Sequence, residues 1–151
     1  MKIKTISQLN KFSIKIANSL SNNDCLLLFG EIGVGKTTFV RYLINYLQKK
    51  NKLKQSHVLS PTFNLVYDYD LKSQRIMHYD LYRIRSRNEV DQLGIFEDAE
   101  SNIKIIEWPN LIKNKIESKL ELYFSYGHKP EYRNIKIKTF GKWKKIKFNE
   151  I

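Results

Sequence analysis

The chain has 151 residues, 42% apolar and 13% aromatic, enough to build one hydrophobic core and one domain of the usual size, roughly 100 to 200 residues. Its 27 basic and 15 acidic residues leave a net charge of +12, which brings nucleic acid or an acidic partner into consideration. These numbers exclude a disordered tail, and the longest apolar run, Cys25 to Phe29, falls far below the roughly 20 residues that a membrane span needs. The start, Met1-Lys-Ile-Lys4, meets polar residues at once, so no secretory signal is expected. A lone cysteine, Cys25, forms no internal disulfide and reads as a small buried hydrophobe in a reducing, cytoplasmic setting.

In chain order, Leu9, Phe12, Ile16 and Leu20 recur at helical spacing, with Ser7 as the expected N-cap. Cys25-Leu-Leu-Leu-Phe29 reads as a strand covered on both faces, because its hydrophobicity is continuous rather than alternating. After a glycine-rich turn, Thr37 to Lys50 is expected as a helix burying Phe39, Val40, Leu43, Ile44 and Leu47. The segments 64–69 and 75–80 predict an antiparallel hairpin, 86–93 a short helix ending at Gly94, and 103–107 a buried strand stopped by Trp108-Pro109. Beyond Lys119 three more strands are expected, the last two, 134–140 and 142–148, forming a hairpin around Gly141. The fold class is α/β, a single domain over 1–151 with a mixed parallel and antiparallel sheet flanked by helices.

The strongest signal is Gly30-Glu-Ile-Gly-Val-Gly-Lys36-Thr37, a full match to G-x-x-x-x-G-K-[ST] placed between a buried strand and a helix. Glycines at 30, 33 and 35 let successive backbone N–H groups turn inward around phosphates, and the helix start adds partial positive charge. Gly30, Gly33, Gly35, Lys36, Thr37 and Thr38 are therefore the candidate phosphate-binding residues. Lys36 would reach the β- and γ-phosphates, Thr37 would give Mg²⁺ one hydroxyl ligand, and Thr38 would bond the α-phosphate.

Such a site also needs an acidic residue at the end of a neighbouring strand. Asp80 and Glu107 both qualify; Glu107 follows the more continuous apolar strand and is the metal candidate, which leaves Asp80 to orient the attacking water or the hydration shell of the metal. Ser60-Pro-Thr62-Phe63 reads either as a loop sensing the γ-phosphate through Ser60 and Thr62 or as a plain turn.

Together, Gly30-EIGVGKTTFVR-41, Ser60-PTFNLVYDY-69, His78-YDLYR-83 and Ile106-EWP-109 resemble the bacterial TsaE (YjeE) family in order and spacing, over roughly residues 5 to 135. The first motif is generic; the H-x-D-L-Y-R and I-E-W-P elements are specific. The resemblance implies a P-loop ATPase that assists synthesis of threonylcarbamoyladenosine in tRNA, with Mg-ATP held by Gly33, Val34, Gly35, Lys36, Thr37 and Thr38, Thr37 and Glu107 as metal ligands, and Asp80 in a role needed for hydrolysis; Lys36 and Asp80 are the catalytic candidates. It also implies two partners, the threonylcarbamoyltransferase subunit and its inactive paralogue, whose complex the ATPase resets between turnovers. Glu131-Tyr-Arg133 departs from the family's late Gly-x-Arg by lacking the glycine.

Residues 129–147 hold eight basic side chains and one acidic, Glu131, and so carry +7 of the +12. On the expected hairpin of 129–148 these lysines form either a docking surface for tRNA or an acidic partner, or a solvated face that blunts an edge strand. Arg83, Arg85 and Arg87 alternate and would share one side of the chain, which keeps open a small-molecule kinase with an arginine lid. His57, His78 and His128 have no metal-ligand spacing, and His78 reads as a structural hydrogen bond. Trp108 reads as a packing residue beside the metal candidate, placed to report nucleotide binding by fluorescence.

Overall fold

A computed structural model describes residues 1–97, 102–146 and 148. The elements are β1 (Lys2–Ile3), α1 (Ile6–Ser19), β2 (Cys25–Phe29), α2 (Lys36–Lys50), β3 (Val66–Asp70), β4 (Arg75–Asp80), α3 (Arg87–Gln92), β5 (Asn102–Glu107), β6 (Leu120–Tyr126) and β7 (Arg133–Thr139), with 3-10 turns at Pro109–Leu111 and Gly141–Lys145. All strands join one sheet in the order β1-β7-β6-β2-β5-β4-β3. Its centre, β6-β2-β5-β4, is parallel, while β3 on one edge and β7 on the other pair antiparallel with it, and β1 pairs antiparallel with β7.

The burial of β2 explains its uninterrupted apolar sequence. One face of the sheet packs against the stripes of α1 (Leu9, Phe12, Ile16) and α2 (Phe39, Leu43, Ile44). The other is covered by Leu81, Ile84, Val90, Ile95 and Ile112. Every residue of β2 is buried between these layers, including Cys25, whose thiol burial pushes up to about 12. No helix among the described residues is long and apolar enough to cross a membrane.

Two local expectations are corrected. Thr5, not Ser7, caps α1: its extended backbone lets Oγ1 accept the Gln8 N–H at 3.2 Å, and Gln8 Oε1 in return accepts the Lys4 N–H at 2.7 Å. Ser7 lies two residues later, already inside the helix, and so does not cap it. The second correction is larger, because no hairpin forms around Gly141. Strand β7 pairs with β6 instead, from Leu120↔Thr139 to Tyr126↔Arg133. At Gly141 the chain turns away with φ at +59°, packed so closely on Ser118 that a Cβ would lie 2.6 Å from its Oγ. This turn drives Trp143 into the core, where it is fully buried.

The physical reason is that a strand at 142–148 would place Trp143 on the same face as Lys145 and Lys147, outside any core. Burying an indole outweighs pairing a lysine-rich edge. Trp143→Ala is expected to destabilise the protein by about 3–5 kcal/mol in urea unfolding, the usual cost of emptying a large aromatic site. A change below about 1 kcal/mol would mean that this turn is peripheral.

The basic cluster is not gathered on one hairpin. Lys142 Nζ lies 2.8 Å from buried Asp24, Lys138 sits over the Tyr123 ring, and Arg133 turns towards the glycine-rich loop. Lys147 lies outside the described residues.

Candidate nucleotide-binding site

In open sheets with parallel strands, ligands gather at the carboxyl ends of those strands. Here the glycine-rich loop leaves β2 between β6 and β5, and the register sets Leu28 beside Glu107 and Asp80 beside Glu107. The two acidic candidates are thus the last residues of adjacent strands, and both are buried. A cleft of about 330 Å³ collects Lys36, Thr37, Ser60, Thr62, Asp80 and Glu107 at that point.

The loop conformation depends on its glycines. Gly30 has φ of +140°, and a Cβ there would stand 2.5 Å from the Phe124 carbonyl oxygen, so no other residue fits. Gly33 and Gly35 also have positive φ, and Gly35 hands the chain to α2 at Lys36. The Lys36 ammonium donates to the Gly30 and Glu31 carbonyls at 2.8 and 2.9 Å, and lies 4.2 Å above the Trp108 ring. Burial holds its pKa below the ordinary 10.5, against the opposing pull of Glu107 and Asp80.

Thr37 and Glu107 meet directly. The hydroxyl donates to Oε1 at 2.9 Å and lies 3.2 Å from Oε2, while His78 Nε2 stands 3.0 Å from Oε1. These are hard oxygen donors side by side, the kind of set that suits Mg²⁺. Asp80 is held differently: Oδ2 accepts from Ser60 at 2.7 Å and Thr62 at 2.8 Å, and Oδ1 from the Tyr82 N–H at 2.9 Å. Its carboxylate therefore latches the 60–62 loop to the end of β4, and Arg41 secures the approach to that loop by donating to the Val58 carbonyl at 3.0 Å. Trp108 follows Glu107 in the left-handed region, φ 58° and ψ 49°, an uncommon strain for an aromatic residue, with its ring tilted against Tyr82 at 4.9 Å.

Two residues that brace the loop escaped the sequence reading. Tyr126 Oη donates to the Ile32 carbonyl at 3.1 Å and Arg133 Nε to the Val34 carbonyl at 3.0 Å, with the guanidinium 4.5 Å above the Tyr126 ring. The Glu131-Tyr-Arg133 segment was their only signal, and pairing of β6 with β7 is what brings them to the loop. On this side Gly33, Val34 and Thr38 border a second pocket of about 250 Å³, closed by Thr5, Leu9 and Arg133. The three alternating arginines do not converge. Arg83 lies over the exposed Phe63 ring, Arg85 lines a separate groove, and Arg87 opens α3.

The family model for TsaE, described as threonylcarbamoyl adenosine biosynthesis protein TsaE, matches residues 3–135. The chain belongs to the TsaE family. A tRNA threonylcarbamoyladenosine biosynthesis protein TsaE from Rickettsia conorii is 41% identical over 104 residues, covering 69% of this chain and 57% of that protein. The chain thus spans a little over half the length of that relative. The Aquifex aeolicus protein of the same name is 36% identical over 98 residues, 65% of this chain and 67% of its own. Among solved structures, the crystal structure of the Bacillus protein YdiB matches the fold with a TM-score of 0.71 at 18% identity, over 95% of this chain and 87% of that one. The mixed sheet flanked by helices is therefore the fold expected from the sequence, in a family of tRNA-modification proteins with a nucleotide-binding loop.

Proposed function

We propose that this TsaE-family chain is a Mg²⁺-dependent ATP hydrolase that resets a threonylcarbamoyltransferase complex between rounds of tRNA modification. The observation that carries the reading is the junction of Lys36, Thr37 and Glu107 on an intact phosphate loop at the carboxyl ends of β2 and β5. In this reading the N–H groups of residues 33–38 cradle the phosphates, and the Lys36 ammonium leaves its two loop carbonyls for the β- and γ-phosphates. The ribose and base take the pocket beside Thr5 and Arg133.

Thr37 and Glu107 would hold Mg²⁺, which when bound supplies charge neutralisation at the phosphates. Asp80 positions the Ser60 and Thr62 hydroxyls at the γ-phosphate side of the cleft and accepts from the attacking water when that loop shifts. Coupling to partners is supported by the rim: Ile32 and Phe63 are 64% and 84% exposed beside the cleft, an apolar edge through which a partner can read the nucleotide state. The expected partners are the transferase subunit and its inactive paralogue, with tRNA contacted through them or through the lysines after Lys129.

The deciding measurement is phosphate release from ATP by the chain alone, and with the transferase subunit, its paralogue and tRNA. Mg²⁺-dependent release that rises with the partners is expected. Silence in every mixture, with a small acceptor phosphorylated instead, would transfer the site to a kinase; the divergent arginines Arg83, Arg85 and Arg87 provide no phosphate clamp for that chemistry.

A further inference from the structure

Beneath the cleft lies a buried imidazole that the phosphate chemistry does not touch. His78 is fully buried on β4, on the same face as Ile76 and Asp80 and level with Ile105 of β5. Its Nε2 stands 3.0 Å from Glu107 Oε1, whereas its Nδ1 is buried without a hydrogen-bond partner among the described residues. An unpaired polar atom in an apolar layer opposes folding, and an aliphatic side chain would pack there more favourably. The compensating contact is the one to Glu107.

Glu107 ends its strand on a side chain with three free torsions, and two donors from different elements fix it: Thr37 at the start of α2 and His78 on β4. Both meet Oε1, so Oε2 is the less engaged oxygen, with only the longer 3.2 Å approach of Thr37. A carboxylate oxygen only accepts, so Nε2 is the donor in this contact. Without the imidazole, Glu107 would hang on Thr37 alone, a residue whose own hydroxyl is needed for the cation.

We propose that His78 is a positioning residue that holds Glu107 in the orientation from which it serves the divalent cation, an assignment that rests on the ATP-site reading above. Its partner is Glu107, and its effect falls on metal affinity rather than on nucleotide binding. The test uses the full chain with a non-hydrolysable ATP analogue and Mn²⁺, free Mn²⁺ being read by electron paramagnetic resonance. His78→Phe keeps a ring in the core and removes the donor; Mn²⁺ affinity should fall about tenfold or more. Analogue affinity in chelator, followed by Trp108 emission, should stay unchanged.

His78→Gln, whose amide N–H takes the place of Nε2, should return Mn²⁺ affinity to within about threefold of wild type, a rescue that loss of packing alone would not allow. Where the phenylalanine variant does not fold, His78→Asn, whose amide stops short of Glu107, replaces it and should show the same loss. Wild-type affinity in the donor-less variant, or a glutamine variant as weak as it while folded, overturns the role of His78 and leaves the ATP site standing. Absence of Mn²⁺ binding to the wild-type chain with analogue overturns both.

Discussion

Lys36→Ala should reduce ATP hydrolysis by about 10²- to 10³-fold, the effect of removing one preorganised charge from a water-poor phosphate site. The geometry makes the effect specific. The ammonium is held between the Gly30 and Glu31 carbonyls and the Trp108 ring. Burial lowers its pKa from 10.5, so part of its hydration is already lost before a phosphate arrives. The sign for stability follows. Between the lowered folded value and 10.5 the unfolded chain binds more protons, so the penalty is complete below that window and stability rises as pH climbs through it. Lys36→Ala should flatten this rise, and it should also abolish the Trp108 fluorescence response to ATP. Hydrolysis within tenfold of wild type would remove Lys36 from the phosphate site.

Glu107→Ala should abolish Mg²⁺-dependent hydrolysis, a loss of at least ~100-fold, since metal charge stabilisation is worth several kcal/mol. It should also cost about 1–3 kcal/mol of stability, because it strands the Thr37 hydroxyl and the buried His78 Nε2 and takes a counter-charge from Lys36. Glu107→Gln preserves the shape and should recover much of the stability without the activity. Phosphate release at a series of Mg²⁺ concentrations, read beside urea unfolding, separates the two effects. Undiminished hydrolysis in Glu107→Ala would return the metal to Asp80. Asp80→Asn is expected to act otherwise: with Ser60 and Thr62 both bonded to one oxygen, its first effect is release of the 60–62 loop, read as faster proteolysis near Pro61.

Most of the parallel core was legible because each element there obeys one local rule. Continuous apolarity marked β2, helical spacing marked α1 and α2, and glycines at positions that demand positive φ marked the loop. Beyond Lys119 the strands β6 and β7 form as expected, and only the strand at 142–148 was misread, because its alternation was counted without Trp143, which breaks it. The loop braces Tyr126 and Arg133 were not legible, since they meet residues 94 and 99 positions earlier in the chain. His78 was read correctly as a hydrogen-bonding residue, but its partner, 29 residues away on the next strand, was not.

By itself, the sequence determined the phosphate loop, the two acidic strand ends and the family, because backbone conformation and hydrophobic period are properties of neighbouring residues. The tertiary structure alone decided what those residues do to one another. Parallel register set Asp80 beside Glu107, the start of α2 brought Thr37 to Glu107, and the 60–62 loop closed on Asp80. Those relations depend on strand order, which no local pattern encodes. Strand order follows from burying both faces of one sheet at once, and that is a condition on the whole chain.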